Sequence, residues 1–157
     1  MTDRFVTPQG REIAYHLTTG TGPTVGFLGG FKSDMEGTKA VFLEDWARER
    51  GRGFLRFDYS GHGTSSGAFE DGCIGAWFED ACAAIGLVEG PLVLVGSSMG
   101  GWIALQLAAL HPEKFSGFIA IEASDFQPAW YDIDWFHRPD AHGGEMGAAL
   151  VSANISP

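Results

Sequence analysis

The 157-residue sequence predicts an α/β protein with a mostly parallel sheet and helices on both of its faces. Two observations lead to this fold class. Short apolar runs such as Leu92–Val95 alternate with longer segments of helical period, and uninterrupted apolar strands are typical of a parallel sheet covered on both sides. In addition, 23 of the residues are glycines, which such proteins use in tight turns and where two backbones approach closely.

The predicted elements follow one another in a regular order, with glycine and proline signals between them. Ser33 or Asp34 is expected to cap the first helix, because either side chain can accept a hydrogen bond from a helix N-terminus. The inner stripe of that helix is predicted to contain Ala40, Leu43, Trp46 and Ala47. Strands are expected at residues 11–17, 24–28, 54–57, 92–95 and 115–121, and helices at 33–50, from about 74 up to Gly90-Pro91, and at 99–110.

Charge and hydropathy exclude several classes of function. The formal net charge is −10, whereas a nucleic-acid-binding face or a protein held on anionic lipid needs an excess of basic residues. No apolar run approaches the roughly 18 residues of a membrane span, and Met1-Thr2-Asp3-Arg4 does not begin a signal peptide. Cys73 and Cys82 are expected to be buried, reduced thiols. These features predict a cytoplasmic protein without a metal or an organic cofactor.

The motif that carries chemistry is Gly96-Ser97-Ser98-Met99-Gly100, which fits the pattern G-x-S-x-G. It lies between a predicted strand and a predicted helix, where the turn is so sharp that the central serine takes a strained backbone conformation. Ser98 is thereby placed at the carboxyl edge of the sheet, beside a helix N-terminus that favours negative charge. The sequence predicts Ser98 as a nucleophile and excludes an aspartate nucleophile of the dehalogenase kind. The alternative is a serine helix cap between chance glycines.

A serine that attacks an acyl carbon also needs hydrogen-bond donors for the negative charge that develops on oxygen. One predicted donor is the backbone N–H of Met99, directly after the serine. Gly29-Gly30-Phe31 follows the strand 24–28, where the second donor of such sites is found, and this position predicts the N–H of Phe31 as that donor. The alternative is an ordinary glycine turn after a strand.

Together these motifs resemble the α/β-hydrolase superfamily. Within it, the chain is similar to the family of a mammalian mitochondrial acyl-protein thioesterase, which also opens acyl glucuronides, and its bacterial relatives. The resemblance extends over about Gly10 to Ile121, and it implies that Ser98 is the nucleophile and that Phe31 and Met99 supply the oxyanion hole. The matching strings are residues 29–35, 37–40, 56–61, 65–67 and 95–102.

The resemblance also implies an acid and a histidine base, which in these hydrolases follow the serine along the chain. The family places both after later strands, and this chain reaches Pro157 before them, so its C-terminal strands are expected to be missing. His137 and His142 are the two histidines that follow the predicted helix and strand after Ser98, and Asp125, just after the strand 115–121, could orient one of them. The alternative is that all three residues belong to a solvated tail. His62, in the loop after strand 54–57, is expected to line the site.

Two regions are predicted: residues 1–122 as the N-terminal part of the hydrolase domain, and 123–157 as a lid-like or irregular tail. The tail is aromatic and could shield an acyl chain, or it could be sequence foreign to the fold, as a premature stop or a frameshift would leave.

The predicted function is a serine hydrolase that cleaves an acyl ester or thioester substrate through an acyl-enzyme, or an acyltransferase that uses the same serine. The alternative is a truncated, catalytically incomplete chain that folds only as an oligomer or acts as a non-catalytic binding protein. An open sheet edge would favour a homo-oligomer in that case.

Overall fold

A mixed sheet of six strands runs through residues 2–121, the part of the chain that the computed structural model describes. The strands are β1 (Asp3–Val6), β2 (Glu12–Thr18), β3 (Thr24–Leu28), β4 (Phe54–Phe57), β5 (Leu92–Ser97) and β6 (Phe115–Ile121). The helices are α1 (Thr38–Glu49), α2 (Ile74–Ile85) and α3 (Met99–Leu110), with short 3-10 helices at Phe69–Asp71 and Pro112–Lys114.

The order of strands across the sheet brings the carboxyl ends of β3 and β5 together at one edge. That order is β1-β2-β4-β3-β5-β6, with β4, β3, β5 and β6 parallel to one another and β1 and β2 antiparallel to their neighbours. The chain leaves β3 to form β4 on one side and returns to form β5 on the other. The carboxyl ends of β3 and β5 therefore meet at a topological switch point, where open α/β sheets bind their ligands.

Both faces of the sheet are covered, as the sequence predicts. Alternating strand residues divide between two buried clusters, because successive side chains of a strand point to opposite faces. One cluster packs Val25, Phe27 and Val95 against Ala40 and Ala47 of α1. The other packs strand residues against the buried faces of α2 and α3, and includes Leu28, Leu92, Leu94, Trp77, Ala81, Met99, Ile103 and Leu107.

The first strand and the start of the first helix differ from the sequence prediction. β1 is missed because its four residues are mostly exposed and give no buried apolar period. Helix α1 begins at Thr38 after Gly37, rather than at Ser33 or Asp34. The N–H of Met35 donates instead to the carboxylate of Asp58, at 2.6 Å, so the segment before α1 forms turns tied to the end of β4.

Two side chains are also more exposed than the sequence analysis expects. The helical period predicts Trp46 on the inner stripe of α1, but this residue is 37% exposed and the Arg50 guanidinium stacks on its ring. Cys73 is an exposed free thiol that precedes α2, whereas Cys82 is half-buried within that helix. Among residues 2–121, no helix is both long and apolar enough to cross a membrane.

Candidate active site

Ser98 forms a strained turn between β5 and α3. Its backbone angles are φ 53° and ψ −119°, in a region that residues with a side chain rarely adopt. The N–H of Ser98 donates to the carbonyl of Ile121 at 2.8 Å, and its own carbonyl accepts from Gly101 at 2.9 Å. Ser98 is partly exposed, while Ser97 and Met99 on either side are buried. Strain of this kind persists only where the surrounding structure holds it, and it concentrates at functional sites.

The two flanking glycines explain why the turn can be so tight. A Cβ on Gly96 would overlap the carbonyl of Gly100 and lie 2.6 Å from the Cα of Gly101, so the strand and the helix could not meet at this distance. A Cβ on Gly100 would overlap the carbonyl oxygen of Leu28 at the end of β3. Both glycines of the motif are therefore required by close backbone approaches, as the sequence analysis expects.

The loop that follows β3, residues 29–32, lies directly against the serine. A Cβ placed on Gly30 would be 3.4 Å from the Cβ of Ser98 and 3.3 Å from the carbonyl oxygen of Ser97. The loop brings Phe31 to the same edge of the sheet as Met99, the first residue of α3. It ends at Lys32, which has a positive φ of 57° although it is not a glycine. We call this segment the 29–32 loop.

The loop that follows β4, residues 58–67, packs beside the 29–32 loop. The Asp58 carboxylate accepts hydrogen bonds from the N–H groups of Met35 (2.6 Å) and Thr64 (2.9 Å). Burial of this carboxylate raises its pKa above the usual 3.8, and the two N–H donors oppose part of that rise. Ser65 donates to the Asp58 carbonyl and accepts from the N–H of Ala14. Residues 58–65, which read Asp-x-x-Gly-x-Gly-x-Ser, thus join β2, β4 and the segment before α1.

Tyr59 connects the two loops from within the core. Its side chain is 1% exposed, and its hydroxyl donates to the carbonyl of Gly29 at 3.3 Å. Burial raises the pKa of Tyr59 well above its usual value, so the hydroxyl keeps its proton and acts as a donor.

His62 is enclosed by aromatic rings and bonded through both ring nitrogens. It is 4% exposed, and its ring lies edge-on to Tyr59, Phe69 and Trp77, with centroids 5.1–5.6 Å apart. Nδ1 lies 3.2 Å from the Ser60 carbonyl, and Nε2 lies 3.3 Å from the N–H of Lys32. His62 therefore lies beside the 29–32 loop, and both of its ring nitrogens are occupied by the backbone.

An apolar surface adjoins the 29–32 loop. The Phe31 side chain packs edge-on against Phe69 and Trp77, at centroid distances of 5.0 and 5.9 Å, yet remains 45% exposed. A cavity of about 270 Å³ opens beside it, and Ser98 is not among its lining residues. The lining is mixed in polarity and consists of Lys32, Ser33, Asp34, Gly61, His62, Gly63, Phe69 and Glu70.

Asp80 is a structural residue of this region that the sequence analysis did not identify. Its carboxylate is fully buried and accepts from the N–H (2.9 Å) and the hydroxyl (2.6 Å) of Ser60, and from the Arg11 guanidinium (2.7 Å). Its position in the sequence could have identified it. Asp80 lies three residues after Trp77 on the apolar face of α2, and an acid that is buried there must be paired. Asp80 thus fixes the backbone that bears the Ser60 carbonyl, the partner of His62.

Lys39 contacts the residue directly before Ser98. The Lys39 ammonium, in the first turn of α1, donates to the hydroxyl of Ser97 at 3.2 Å. Ser97 directly precedes Ser98, so this contact links α1 to the turn.

The predicted acid and base lie outside the described residues. Asp125, His137 and His142 belong to the segment 122–157, as does the predicted boundary between the domain and its tail. Within residues 2–121 the other histidines have different settings: His16 lies on β2, and His111 follows the last turn of α3. That part of the chain also contains no group of three or more His, Cys, Asp or Glu side chains suited to a metal ion.

Comparisons with known proteins agree with this arrangement. The sequence profile described as "Alpha/beta hydrolase family" matches residues 27–154. The palmitoyl-protein thioesterase ABHD10 of Rattus norvegicus, named as mitochondrial, is 39% identical over 118 residues, which cover 74% of this chain and 40% of the rat protein. This chain therefore spans about 40% of the length of that relative.

Solved structures give the same result. The mouse alpha/beta hydrolase domain-containing protein 10 superposes with a TM-score of 0.74 at 36% identity, over 76% of this chain and 48% of that one. A putative hydrolase from Agrobacterium vitis S4 superposes with a TM-score of 0.72 at 42% identity, over 76% and 51% of the two chains. The strained serine between two close-packed glycines, the sheet order and the matched profile agree: this chain belongs to the alpha/beta hydrolase family.

Proposed function

We propose that this chain is a serine hydrolase that cleaves ester or thioester bonds through an acyl-enzyme at Ser98. The observation that carries the proposal is the strained backbone of Ser98, at φ 53°, with the 29–32 loop packed against it. Strain at a partly exposed serine has no benefit for packing, whereas a nucleophile must be presented to substrate in this way. The names of the relatives, which include a palmitoyl-protein thioesterase, favour hydrolysis over a non-catalytic role.

The proposed reaction has two steps. The Ser98 oxygen attacks the acyl carbon, its proton passes to a base, and the bond to the leaving alcohol or thiol breaks. Water then attacks the acyl-enzyme and releases the acid and the free serine. The backbone N–H groups of Phe31 and Met99 are the proposed donors to the oxyanion in both steps, at the N-terminus of α3, where the helix dipole favours negative charge.

The base and its partner are proposed within the same chain. His137 or His142 is the proposed base and Asp125 the proposed acid, because all three follow Ser98 along the chain in the order that these hydrolases use. The substrate class to test first is an S-acylated protein or peptide, followed by small esters. The half-exposed Phe31 ring, on the loop that packs against the serine, offers an apolar surface to an acyl chain.

A fluorophosphonate probe tests the proposal, because such reagents react rapidly only with a serine that has a working base and oxyanion hole. We expect one probe per chain by intact mass, with the label lost in Ser98→Ala and kept in Ser97→Ala, the adjacent serine. Loss of label in His137→Ala or His142→Ala would then identify the base. No labelling of the folded wild type would contradict the proposal and favour the catalytically incomplete alternative.

Two further properties belong to the same proposal. The cytoplasmic location predicted from the sequence differs from the mitochondrial location named for the rat relative, and cell fractionation distinguishes the two. A homo-oligomer through β6, the last strand of the sheet within residues 2–121, is tested by sedimentation at several concentrations. A monomer at every concentration would contradict the oligomer.

A further inference from the structure

The 29–32 loop is held in part by His62 of the neighbouring loop. Lys32 adopts a left-handed φ of 57°, a conformation that is unfavourable for a residue with a side chain. Phe31, whose N–H is the proposed oxyanion donor, is the residue directly before it. Any relaxation of Lys32 toward an ordinary φ would rotate the peptide planes of the loop and move that N–H. One contact that opposes this relaxation is the hydrogen bond from the Lys32 N–H to His62 Nε2, at 3.3 Å. The N–H and hydroxyl of Ser33 also hold the loop, because both donate to the Gly30 carbonyl.

The two partners of His62 assign the hydrogen-bonding roles of its ring nitrogens. The Ser60 carbonyl can only accept, so Nδ1–H donates to it, and the Lys32 N–H can only donate, so Nε2 accepts. Both contacts together fit the Nδ1–H form of the ring. Its orientation is set as well, because Tyr59, Phe69 and Trp77 enclose it.

The acceptor of His62 is itself rigidly held. The Ser60 carbonyl also accepts from the indole N–H of Trp77 at 3.0 Å, and the N–H and hydroxyl of Ser60 both donate to the buried Asp80 carboxylate. Asp80 in turn is paired with Arg11 at 2.7 Å. A continuous chain of hydrogen bonds thus runs from Arg11 at the start of β2, through α2, to the loop beside Ser98.

We propose that His62 is a positioning residue for the reaction at Ser98: its Nε2 holds the strained Lys32 N–H, and with it the 29–32 loop, in the geometry that stabilises the oxyanion. This inference rests on the proposed function. It assigns to His62 neither proton transfer nor contact with substrate. A displacement of about 1 Å at such a donor can cost on the order of 100-fold in rate, so one hydrogen bond on the loop has a measurable effect.

The test uses three variants: two remove the contacts of His62 one at a time, and the third removes both. In His62→Gln the side-chain carbonyl reaches the place of Nε2 and can accept from Lys32, but the donor to Ser60 is lost. In His62→Asn the shorter amide replaces Nδ1 and leaves Lys32 without its acceptor. His62→Phe keeps a ring and removes both contacts. The readouts are the rate of fluorophosphonate labelling, amide hydrogen exchange at Lys32 and the urea midpoint of unfolding.

We expect His62→Gln to stay within about threefold of wild type in labelling rate and in Lys32 exchange, whereas His62→Asn labels about 10-fold or more slowly and exchanges Lys32 faster. His62→Phe should match His62→Asn; if it does not fold, the Gln and Asn pair still decides. Equal labelling rates for His62→Gln and His62→Asn, or rates that follow only the urea midpoint, would overturn the positioning role. A wild type that does not label would instead refute the proposed function, and the positioning role with it.

Discussion

Replacing Gly100 by alanine should damage the turn at Ser98, although alanine is the better helix former. Gly100 is the second residue of α3, and a Cβ there would overlap the Leu28 carbonyl oxygen and lie 2.6 Å from the Gly29 carbonyl oxygen. Both oxygens belong to the backbone at the end of β3, so neither can rotate away. The Gly29 oxygen would have to move by about half an ångström, and that of Leu28 by more, in a region packed at the density of a crystal.

The magnitude follows from two opposing effects. The gain in helix propensity is at most about 1 kcal/mol, whereas overpacking of a close-packed site costs about 1–3 kcal/mol and occasionally more. We expect the free energy of unfolding to fall by about 2 kcal/mol. The rate of phosphonate labelling at Ser98 should fall about 10- to 100-fold, because the 29–32 loop is displaced from the serine.

Gly75→Ala provides the matched control. Gly75 is also the second residue of its helix, α2, and the nearest atom to a Cβ there is the Cys73 sulfur at 3.9 Å. That variant should be unchanged or more stable by up to about 1 kcal/mol, with normal labelling. Urea unfolding monitored by tryptophan fluorescence gives both free energies. The reasoning is refuted if the free energies of unfolding of Gly100→Ala and Gly75→Ala agree to within about 0.5 kcal/mol.

Three further predictions follow from buried or partly buried groups. Asp80→Asn should lower the free energy of unfolding by about 2–3 kcal/mol in urea melts, since it weakens a buried pair with Arg11 that also holds Ser60; an unchanged midpoint would show that the pair is not needed. Because burial raises the pKa of Asp58 above 3.8 in the folded state, its contribution to stability is present below that value and is lost as the pH rises through the folded-state pKa. The free energy of unfolding of the wild type minus that of Asp58→Asn should therefore fall as the pH rises above about 4. A rise in this difference would mean that the N–H donors outweigh burial. Iodoacetamide should modify exposed Cys73 well before Cys82, whose pKa is raised by burial and by the nearby Glu79, and peptide mapping that finds Cys82 first would contradict this.

The layout of the chain was predictable because local patterns determine it. Strands β3, β4 and β6, and helix α3, begin and end at the predicted residues, since uninterrupted apolar runs between glycine and proline signals have few alternatives. β5 extends two residues further, to Ser97. The turn at Ser98 was predictable for a similar reason: glycine, serine and glycine at that spacing fit one backbone path between a strand and a helix.

Other features depend on contacts between distant parts of the chain. The segment before α1 is tied to Asp58, which is 23 residues away from Met35 and accepts its N–H. Neither Ser33 nor Asp34 can signal this, because a capping preference describes only local hydrogen bonds. The exposed strand β1 exists through its pairing with β2 rather than through any pattern of its own.

The sequence by itself determined the fold class, the family and the serine on which the proposed chemistry depends, because these follow from the order of local motifs. Only the tertiary structure decided what supports that serine. His62 could be placed at the edge of the site from its loop position, but its hydrogen bond to Lys32 depends on how β3 and β4 lie side by side. The contact of the buried Asp80 with Ser60 likewise depends on tertiary structure, because it joins α2 to the loop after β4. The contacts of His62 with Lys32 and of Asp80 with Ser60 and Arg11 join residues 20 to 69 positions apart, and no short-range pattern specifies them.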